Sequence, residues 1–320
     1  MKLRYLSPSR INKYNGCEYA YHLAYDLGLK GFQNLGAYKG EICHAVLETI
    51  LEKVKDLGKS ETFETIKNYE SILMQQIEEI KSELTLSEED IQDCRSMLEL
   101  MLNDKNADYF NKKIIGIERK FDLVISKDGV LIDDRMEDRA KDLGLDEVLY
   151  FDSYYSELDA FRVYGIIDLV IERDSDTIEI IDWKTGKVKK KYDQLKKDPQ
   201  LLTYNMAARY IFPQYKNIII TIYYARGKPL TFCFDENDFN ITVSALYNKW
   251  TRIRNNRNPS RNVKDFNKWM CNFCAFKKDN DDKSACKKDC DIFYELEKQG
   301  MDLSECIEKI KNGKRLSKGI

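Results

Sequence analysis

The pattern of hydrophobic and polar positions is clearest in residues 164–184. Two runs rich in β-branched and apolar residues flank a polar segment at 173–176. Alternation of this kind on both sides of a polar turn predicts a β-hairpin. Side chains alternate between the two faces of a strand, so Asp182 and Lys184 are expected on one face and Trp183 on the other.

A hairpin that turns about Ser175 places Asp168 directly across from Asp182. This register brings two carboxylates and the Lys184 ammonium together on one face. Carboxylates buried so close to each other repel, and proteins tolerate them when a metal ion or another cation lies between them. The spacing therefore predicts a site for a divalent cation.

Helical periodicity is strongest in residues 40–54. The apolar face of this predicted helix consists of Ile42, Val46, Ile50 and Val54. Ser7 and Pro8 have the residue types of a helix cap and first turn, so they predict an earlier helix. From about 59 to 106 the chain is charged, free of proline and helical in pattern, which predicts a helical insertion or cap.

Further elements follow on either side of the hairpin. The runs 114–126 and 217–227 have the composition of β-strands. Asp198 and Pro199 mark the start of a helix, so Gln200 and Tyr204 should lie one turn apart on one of its faces, an arrangement common to many helices. The polar segment 133–148 predicts a loop or a short helix, and 236–261 predicts a helix that ends in arginines.

Composition narrows the class of protein. The chain has 320 residues, of which 43% are hydrophobic and 33% are charged, enough for a large core. It contains no apolar stretch of membrane-spanning length, and its first residues lack the apolar segment of a signal peptide, so we expect a cytoplasmic location and no membrane partner. Net charge is −2, so any binding of nucleic acid must come from local patches such as the lysines between 184 and 197.

Nine cysteines in such a chain predict thiols or metal ligation rather than disulfides. Cys271 and Cys274 have the spacing of a metal-binding pair, and Cys286 and Cys290 follow after a charged loop. Taken locally, these four residues predict a zinc knuckle. Cys17, taken alone, has the character of a small buried residue.

Several of these motifs, in this order, resemble the PD-(D/E)XK nuclease superfamily in its RecB-like exonuclease branch. The hairpin supplies Gly-x-Ile-Asp and then Ile-Asp-x-Lys-Thr-Gly-Lys. Elsewhere the chain supplies Gly-x-x-x-His, which ends at His44, and Gln-x-x-x-Tyr, which joins Gln200 and Tyr204. The resemblance extends over nearly the whole chain and includes the CRISPR-associated and AddB-type iron–sulfur nucleases.

The resemblance implies a fold and a division of the chain. The fold is α/β, with a restriction-endonuclease-like core in which helices flank a central mixed β-sheet. The implied regions are 1–58 with the first helices, 59–110 as the helical insertion, 111–235 as the nuclease core, and 236–320 as a C-terminal helical region. A cysteine-ligated cluster joins the N-terminal and C-terminal regions.

The resemblance also implies roles for individual residues. Mg²⁺ or Mn²⁺ is held by Asp168, Asp182, His44 and the carbonyl of Trp183, while Lys184 orients the attacking water or offsets developing negative charge. Gln200 and Tyr204 support the site or contact the nucleic acid strand. Glu118 matches an upstream acidic position; the alternative is a surface glutamate on a strand.

For the cysteines, the resemblance implies a 4Fe–4S cluster held by Cys17, Cys271, Cys274 and Cys286. Cys290 is the alternative fourth ligand, because the gap after Cys274 is longer than the usual family pattern. Zinc is the alternative metal, since sites made of thiolates alone accept either.

The implied function is a metal-dependent DNA exonuclease acting on single strands or duplex ends in recombination, repair or CRISPR-type adaptation. Its implied partners are DNA and a helicase, recombinase or other recombination protein, and a bacterial or viral origin fits the resemblance. The alternatives are a non-catalytic DNA-binding or scaffold protein on the same fold, and a site-specific endonuclease. No GxxxxGK[ST] phosphate loop occurs, so the sequence gives no sign of an ATP motor of its own.

Overall fold

A computed structural model of the chain describes residues 5–27, 35–80, 85–103, 108–126, 129–132, 140–144, 160–186, 191–260, 274 and 300–301. The chain divides into two compact units. The larger unit, the core unit, contains the described residues of Arg4–Ile11 and Leu35–Arg254. The smaller unit contains the described residues of Asn12–Asn34 and Asn255–Ile320.

The helices of the described residues follow the predicted periodicity and are interrupted in places that the pattern did not mark. They are α1 (Pro8–Gly16), α2 (Glu18–Tyr21), a π-helix (His22–Asp26), α3 (Leu35–Val54), α4 (Lys59–Lys67), α5 (Tyr69–Ile80), α6 (Glu88–Leu102), a 3₁₀ turn (Asp108–Asn111), α7 (Tyr192–Leu195), α8 (Pro199–Ile211) and α9 (Glu236–Asn255). Within the described part of the chain, each helix is too short or too polar to cross a lipid bilayer.

The strands of the described residues form one mixed sheet. They are β1 (Lys113–Ser126), β2 (Gly129–Ile132), β3 (Phe161–Asp174), β4 (Thr177–Lys184), β5 (Asn217–Tyr224) and β6 (Leu230–Cys233). Their order across the sheet is β2-β1-β3-β4-β5-β6. The β4–β5 pair is parallel and is connected through α7 and α8, whereas the other pairs are antiparallel. The predicted α/β class and the mixed central sheet are confirmed.

The predicted hairpin consists of β3 and β4. Leu169 lies opposite Ile181, which is the register that a turn about Ser175 predicted, and Asp168 and Asp182 each lie one residue beyond this last pair of the ladder. The register shifts next to the turn, between Glu172 and Asp174, where a β-bulge absorbs one residue.

Helix α3 forms the centre of the main hydrophobic cluster of the core unit. Its predicted apolar face is buried against α5, α6 and one face of the sheet, where Trp183 and Tyr223 contribute large side chains. The segment predicted to be helical contains α4, α5 and α6, and two of these helices complete the core. Burial of this face supplies the stability that intrinsic helix propensity alone does not.

In the smaller unit, residues near the two ends of the sequence are in contact. Glu18 accepts hydrogen bonds from the amide of Asn256 and from both the backbone and the hydroxyl of Ser260. The backbone amide of Tyr19 donates to the carbonyl of Ser260. Residues just after Cys17 are thus fixed beside the segment that leads toward the C-terminal cysteines.

Candidate active site

The candidate site lies where β3 and β4 separate. Their ladder ends at the pair of Leu169 and Ile181, and beyond it the two strands diverge into a fork. Backbone groups along the open edge of β3 find other partners, since buried groups without a partner would be costly. The carbonyl of Ile166 accepts a hydrogen bond from Tyr204 (2.8 Å), and Leu6 makes backbone hydrogen bonds to Arg162 (2.8 Å) and Tyr164 (2.9 Å).

One side of the fork holds an aspartate and a lysine that are joined by a glutamine. The ammonium of Lys184 lies 2.9 Å from Oδ1 and 2.7 Å from Oδ2 of Asp182. Nε2 of Gln200 donates to Asp182 Oδ1 (2.9 Å), while its Oε1 accepts from Lys184 (3.0 Å). The amide of Gln200 therefore orients both charged groups at once.

Helix α8 positions Gln200 as the sequence predicted. Asp198 caps this helix by accepting a hydrogen bond from the backbone amide of Gln200 (2.9 Å), and Pro199 occupies its first turn. One turn later, the hydroxyl of Tyr204 accepts from Gln200 Nε2 (2.8 Å) and donates to Ile166. Tyr204 is only 3% exposed, so its hydroxyl supports the site from within the core.

The other side of the fork holds His44, Glu118 and Asp168. One ligand atom from each of these residues lies within 4.8 Å of the others, a spacing that suits a shared metal ion. Nδ1 of His44 is 3.7 Å from Asp168 Oδ2, and its Nε2 is 3.2 Å from the carbonyl of Trp183. Asp168 Oδ2 also accepts the backbone amide of Trp183 (2.9 Å).

Glu118 reaches this group through the pairing of β1 with β3. Its neighbours pair as Ile117 with Leu169 and Arg119 with Ile167, which sets Glu118 beside Asp168. Its backbone has φ of 43°, in the left-handed region that a glutamate on a strand rarely adopts. The pattern of the sequence offered only a weak signal for this residue, because both the pairing and the backbone conformation depend on tertiary contacts.

The electrostatics of the site favour a bound cation. Burial, and then the nearby charge of Asp182, raise the pKa of Asp168 to about 6. Burial, followed by the carboxylates of Asp168 and Glu48, raises the pKa of Glu118 to about 7. Negative charge on this side of the fork is thus undercompensated, which a divalent ion would correct.

The positive charge of Lys184 mainly offsets the negative charge of Asp182, on the side of the fork away from His44. Burial alone would lower the pKa of its ammonium, but the carboxylates of Asp182 and Asp168 raise it above its usual value. Asp182 is 1% exposed, so its carboxylate and the Lys184 ammonium form a close ion pair largely shielded from solvent. Together with the imidazole and carboxylates across the fork, this donor set fits Mg²⁺ or Mn²⁺.

Two glycines of the recognised motifs permit close approaches around the site. A Cβ atom on Gly40 would lie 2.8 Å from the hydroxyl of Thr185, so glycine lets α3 pack against the residue after Lys184. A Cβ atom on Gly165 would lie 2.3 Å from the ring of Phe121. That ring in turn meets Tyr204 edge-on at 6.3 Å. Sequence reasoning did not identify Phe121, because its importance depends on cross-strand pairing with Gly165.

The structure thus brings His44, Glu118, Asp168, Trp183, Asp182, Lys184, Gln200 and Tyr204 to one fork.

The predicted cysteine site is only partly described. Cys17 caps α2, where its sulfur accepts the amide of Ala20 at 3.4 Å, and Cys274 is half-buried. Cys271, Cys286 and Cys290 lie outside the described residues, as does most of the predicted loop at 133–148.

A mixed sheet that forks around paired acids and a lysine is an arrangement suited to a metal-dependent hydrolase. Comparison with known protein families narrows this class. A sequence model of the PD-(D/E)XK nuclease superfamily matches residues 5–278. The chain belongs to this superfamily.

Two solved structures are similar to the chain at very low sequence identity. A candidate exonuclease from Eubacterium rectale is 10% identical, with a TM-score of 0.47, and the alignment covers 89% of this chain and 92% of that one. The protein SSO0001 is 13% identical, with a TM-score of 0.31, over 84% of this chain and 92% of that one. No curated protein matches the chain.

Proposed function

We propose that this protein is a metal-dependent DNA exonuclease that hydrolyses phosphodiester bonds of single strands or duplex ends. The observation that carries the proposal is the fork itself. It sets an acid–imidazole group (His44, Glu118, Asp168) beside an acid–ammonium pair (Asp182, Lys184). Membership in a nuclease superfamily supports the same chemistry.

The chain's own residues have distinct roles in this proposal. His44, Asp168, Asp182 and the Trp183 carbonyl would hold the cation, and Glu118 would add a further carboxylate. Bound Mg²⁺ or Mn²⁺ lowers the pKa of a water molecule and stabilises negative charge in the transition state. Lys184 would stay protonated beside the negative charge of the transition state. Gln200 orients both the Lys184 ammonium and the Asp182 carboxylate through its hydrogen bonds.

The test is cleavage of end-labelled DNA with Mn²⁺ or Mg²⁺ by the wild type and by Asp182→Ala and Lys184→Ala variants. We expect both variants to lose cleavage while DNA binding stays largely intact. Lys55→Ala is the matched control, because Lys55 pairs with Glu52 on an exposed helix surface. Unchanged cleavage by Lys184→Ala would refute the assignment.

A covalently closed circular substrate separates the competing functions. An exonuclease requires an end and leaves the circle intact, whereas a site-specific endonuclease opens it. Binding without cleavage of any substrate would identify the non-catalytic alternative. By its resemblance to known nucleases, we propose that the protein acts in recombination, repair or CRISPR-type adaptation, beside a helicase or recombinase.

We further propose that Cys17, Cys271 and Cys274, with Cys286 or Cys290, hold a 4Fe–4S cluster, with zinc as the alternative. Support comes from the contacts of residues 18–19 with 256–260, which hold the region after Cys17 near the segment that leads to the other cysteines. Anaerobic purification with an absorption spectrum and iron and zinc analysis tests this. Loss of the metal in Cys17→Ser, with retention in Cys233→Ser, is the expected result.

A further inference from the structure

We propose that Tyr5, Arg10, Lys120 and Tyr164 form a platform on which single-stranded DNA lies as it approaches the fork. We call these four residues the Tyr164 platform. The inference rests on the proposed nuclease function and specifies how the substrate strand is held. It concerns a surface of the core unit at some distance from the acidic residues themselves.

The open side of β3 leads from the platform to the fork. Val163, Gly165 and Ile167 are buried, whereas Tyr164 and Ile166 between them are half-exposed. Alternation places Tyr164 and Ile166 on the same side of the strand as Asp168. At the usual rise of a strand, the four steps from Tyr164 to Asp168 span about 13 Å. A strand of DNA stacked at Tyr164 would therefore reach the acids within a few nucleotides.

Tyr5 is fixed beside Tyr164 by the pairing of its neighbour. Leu6 makes backbone hydrogen bonds on both sides of Val163, at the edge that β4 has left free. The rings of Tyr5 and Tyr164 then lie 5.6 Å apart at 65°. The guanidinium of Arg10 lies 3.8 Å from the centre of the Tyr5 ring and donates to the Tyr5 carbonyl (3.0 Å). Aromatic and guanidinium groups are held together without either being buried in the core.

Positive charge lies at both ends of this surface. Lys120 is exposed and is the cross-strand partner of Ile166, midway between Tyr164 and Asp168. Arg10 lies at the outer end. Arg162, two residues before Tyr164, is buried and forms an ion pair with Asp122, so its charge is directed inward rather than at this surface.

Half-exposed aromatic rings flanked by separate cations suit single-stranded nucleic acid. Every unpaired base offers a flat face for stacking on aromatic or guanidinium groups, and the phosphates meet the cations. A duplex offers no unstacked base faces except at its end. The combination therefore favours a single strand over a duplex at this surface.

The test is binding of a single strand of about 12 nucleotides that carries one fluorescent adenine analogue quenched by stacking. Lys184→Ala serves as the background so that the strand is not cleaved. Moving the analogue along the strand should give one position of strong quenching near the end. Tyr164→Ala should remove this quenching and weaken binding about 10-fold, whereas Tyr164→Phe should change binding less than about 2-fold.

Controls separate stacking from loss of structure. Tyr164→Leu keeps an apolar side chain without an aromatic face and should behave as Tyr164→Ala does, which carries the test if the alanine variant fails to fold. Tyr69→Ala, at another partly exposed tyrosine, which lies on α5, should leave binding and quenching unchanged. Arg10→Ala and Lys120→Ala should each reduce the salt dependence of binding by about 0.7 in the logarithmic slope.

The platform hypothesis would be refuted if Tyr164→Leu bound and quenched the single strand as well as the Lys184→Ala background does. An equal loss of duplex and single-strand affinity would overturn it too, because the platform requires free base faces. These outcomes differ from failure of the proposed function. If the wild type cleaves DNA but Tyr164 variants bind and quench as the background does, only the platform hypothesis is refuted. If the strand is quenched at Tyr164 but the wild type cleaves no DNA with Mg²⁺ or Mn²⁺, only the proposed nuclease activity is refuted.

Discussion

Asp168→Asn should stabilise the metal-free protein at alkaline pH. Burial and Asp182 raise the pKa of the Asp168 carboxyl from 3.8 to about 6. A carboxyl whose folded pKa is raised binds its proton more tightly in the native state, so it destabilises the fold once pH exceeds its unfolded pKa. This penalty grows to about 3 kcal/mol at pH 8 and reaches about half of that at pH 5.

The substitution removes this penalty and retains the acceptor for the backbone amide of Trp183. It also removes one of the carboxylates that face Lys184, which offsets part of the gain. We therefore expect Asp168→Asn to raise the free energy of unfolding by about 2 kcal/mol at pH 8 and by clearly less at pH 5.

The assay is urea denaturation of both proteins in EDTA at the two pH values, followed by the same series with Mn²⁺. The wild type should gain about 2.7 kcal/mol at a metal concentration one hundred times its dissociation constant, and the variant should gain far less. A variant that is equally stable at both pH values, or that responds to Mn²⁺ as the wild type does, would refute the reasoning about charge at the fork.

Other substitutions test the packing that supports the site. Gly165→Ala should cost about 2 kcal/mol of stability in thermal or urea unfolding, because the new methyl group meets the Phe121 ring, and adding Phe121→Leu should recover part of the loss; additive losses would contradict this account. Tyr204→Phe removes the hydrogen bonds that the hydroxyl makes to Gln200 and Ile166, so it should lower the free energy of unfolding by about 1–2 kcal/mol. In steady-state cleavage assays it should lower kcat and leave KM for DNA unchanged, whereas a change confined to KM would indicate that Tyr204 contacts the substrate. Arg162→Met should cost about 3–5 kcal/mol because it removes the guanidinium that pairs with the buried carboxylate of Asp122. Urea unfolding should show that Arg162→Met combined with Asp122→Leu costs much less.

Local chemistry allowed a large part of the fork to be predicted from the sequence. The hairpin register follows from the alternation of apolar residues and the polar turn, which bring Asp168 and Asp182 to the end of the same ladder. The start of α8 follows from a capping aspartate and a proline, and it places Gln200 next to Lys184. Both features depend on residues close to each other in sequence.

Features that depend on distant parts of the chain were harder to predict. Glu118 joins His44 and Asp168 only through the pairing of β1 with β3 and through an unusual backbone angle. The half-exposed rings of Tyr5 and Tyr164 meet because Leu6 occupies an edge that opens when β4 departs. Neither arrangement leaves a periodic pattern in the sequence.

The left-handed backbone of Glu118 has a consequence for the evolution of this protein. A glutamate in that conformation costs the fold on the order of 1 kcal/mol, and glycine would relieve it. Selection for thermal robustness alone would thus replace the residue and discard its carboxylate. Laboratory evolution that rewards survival on heating, without rewarding turnover, should therefore lose this side chain early, whereas selection on turnover should keep it.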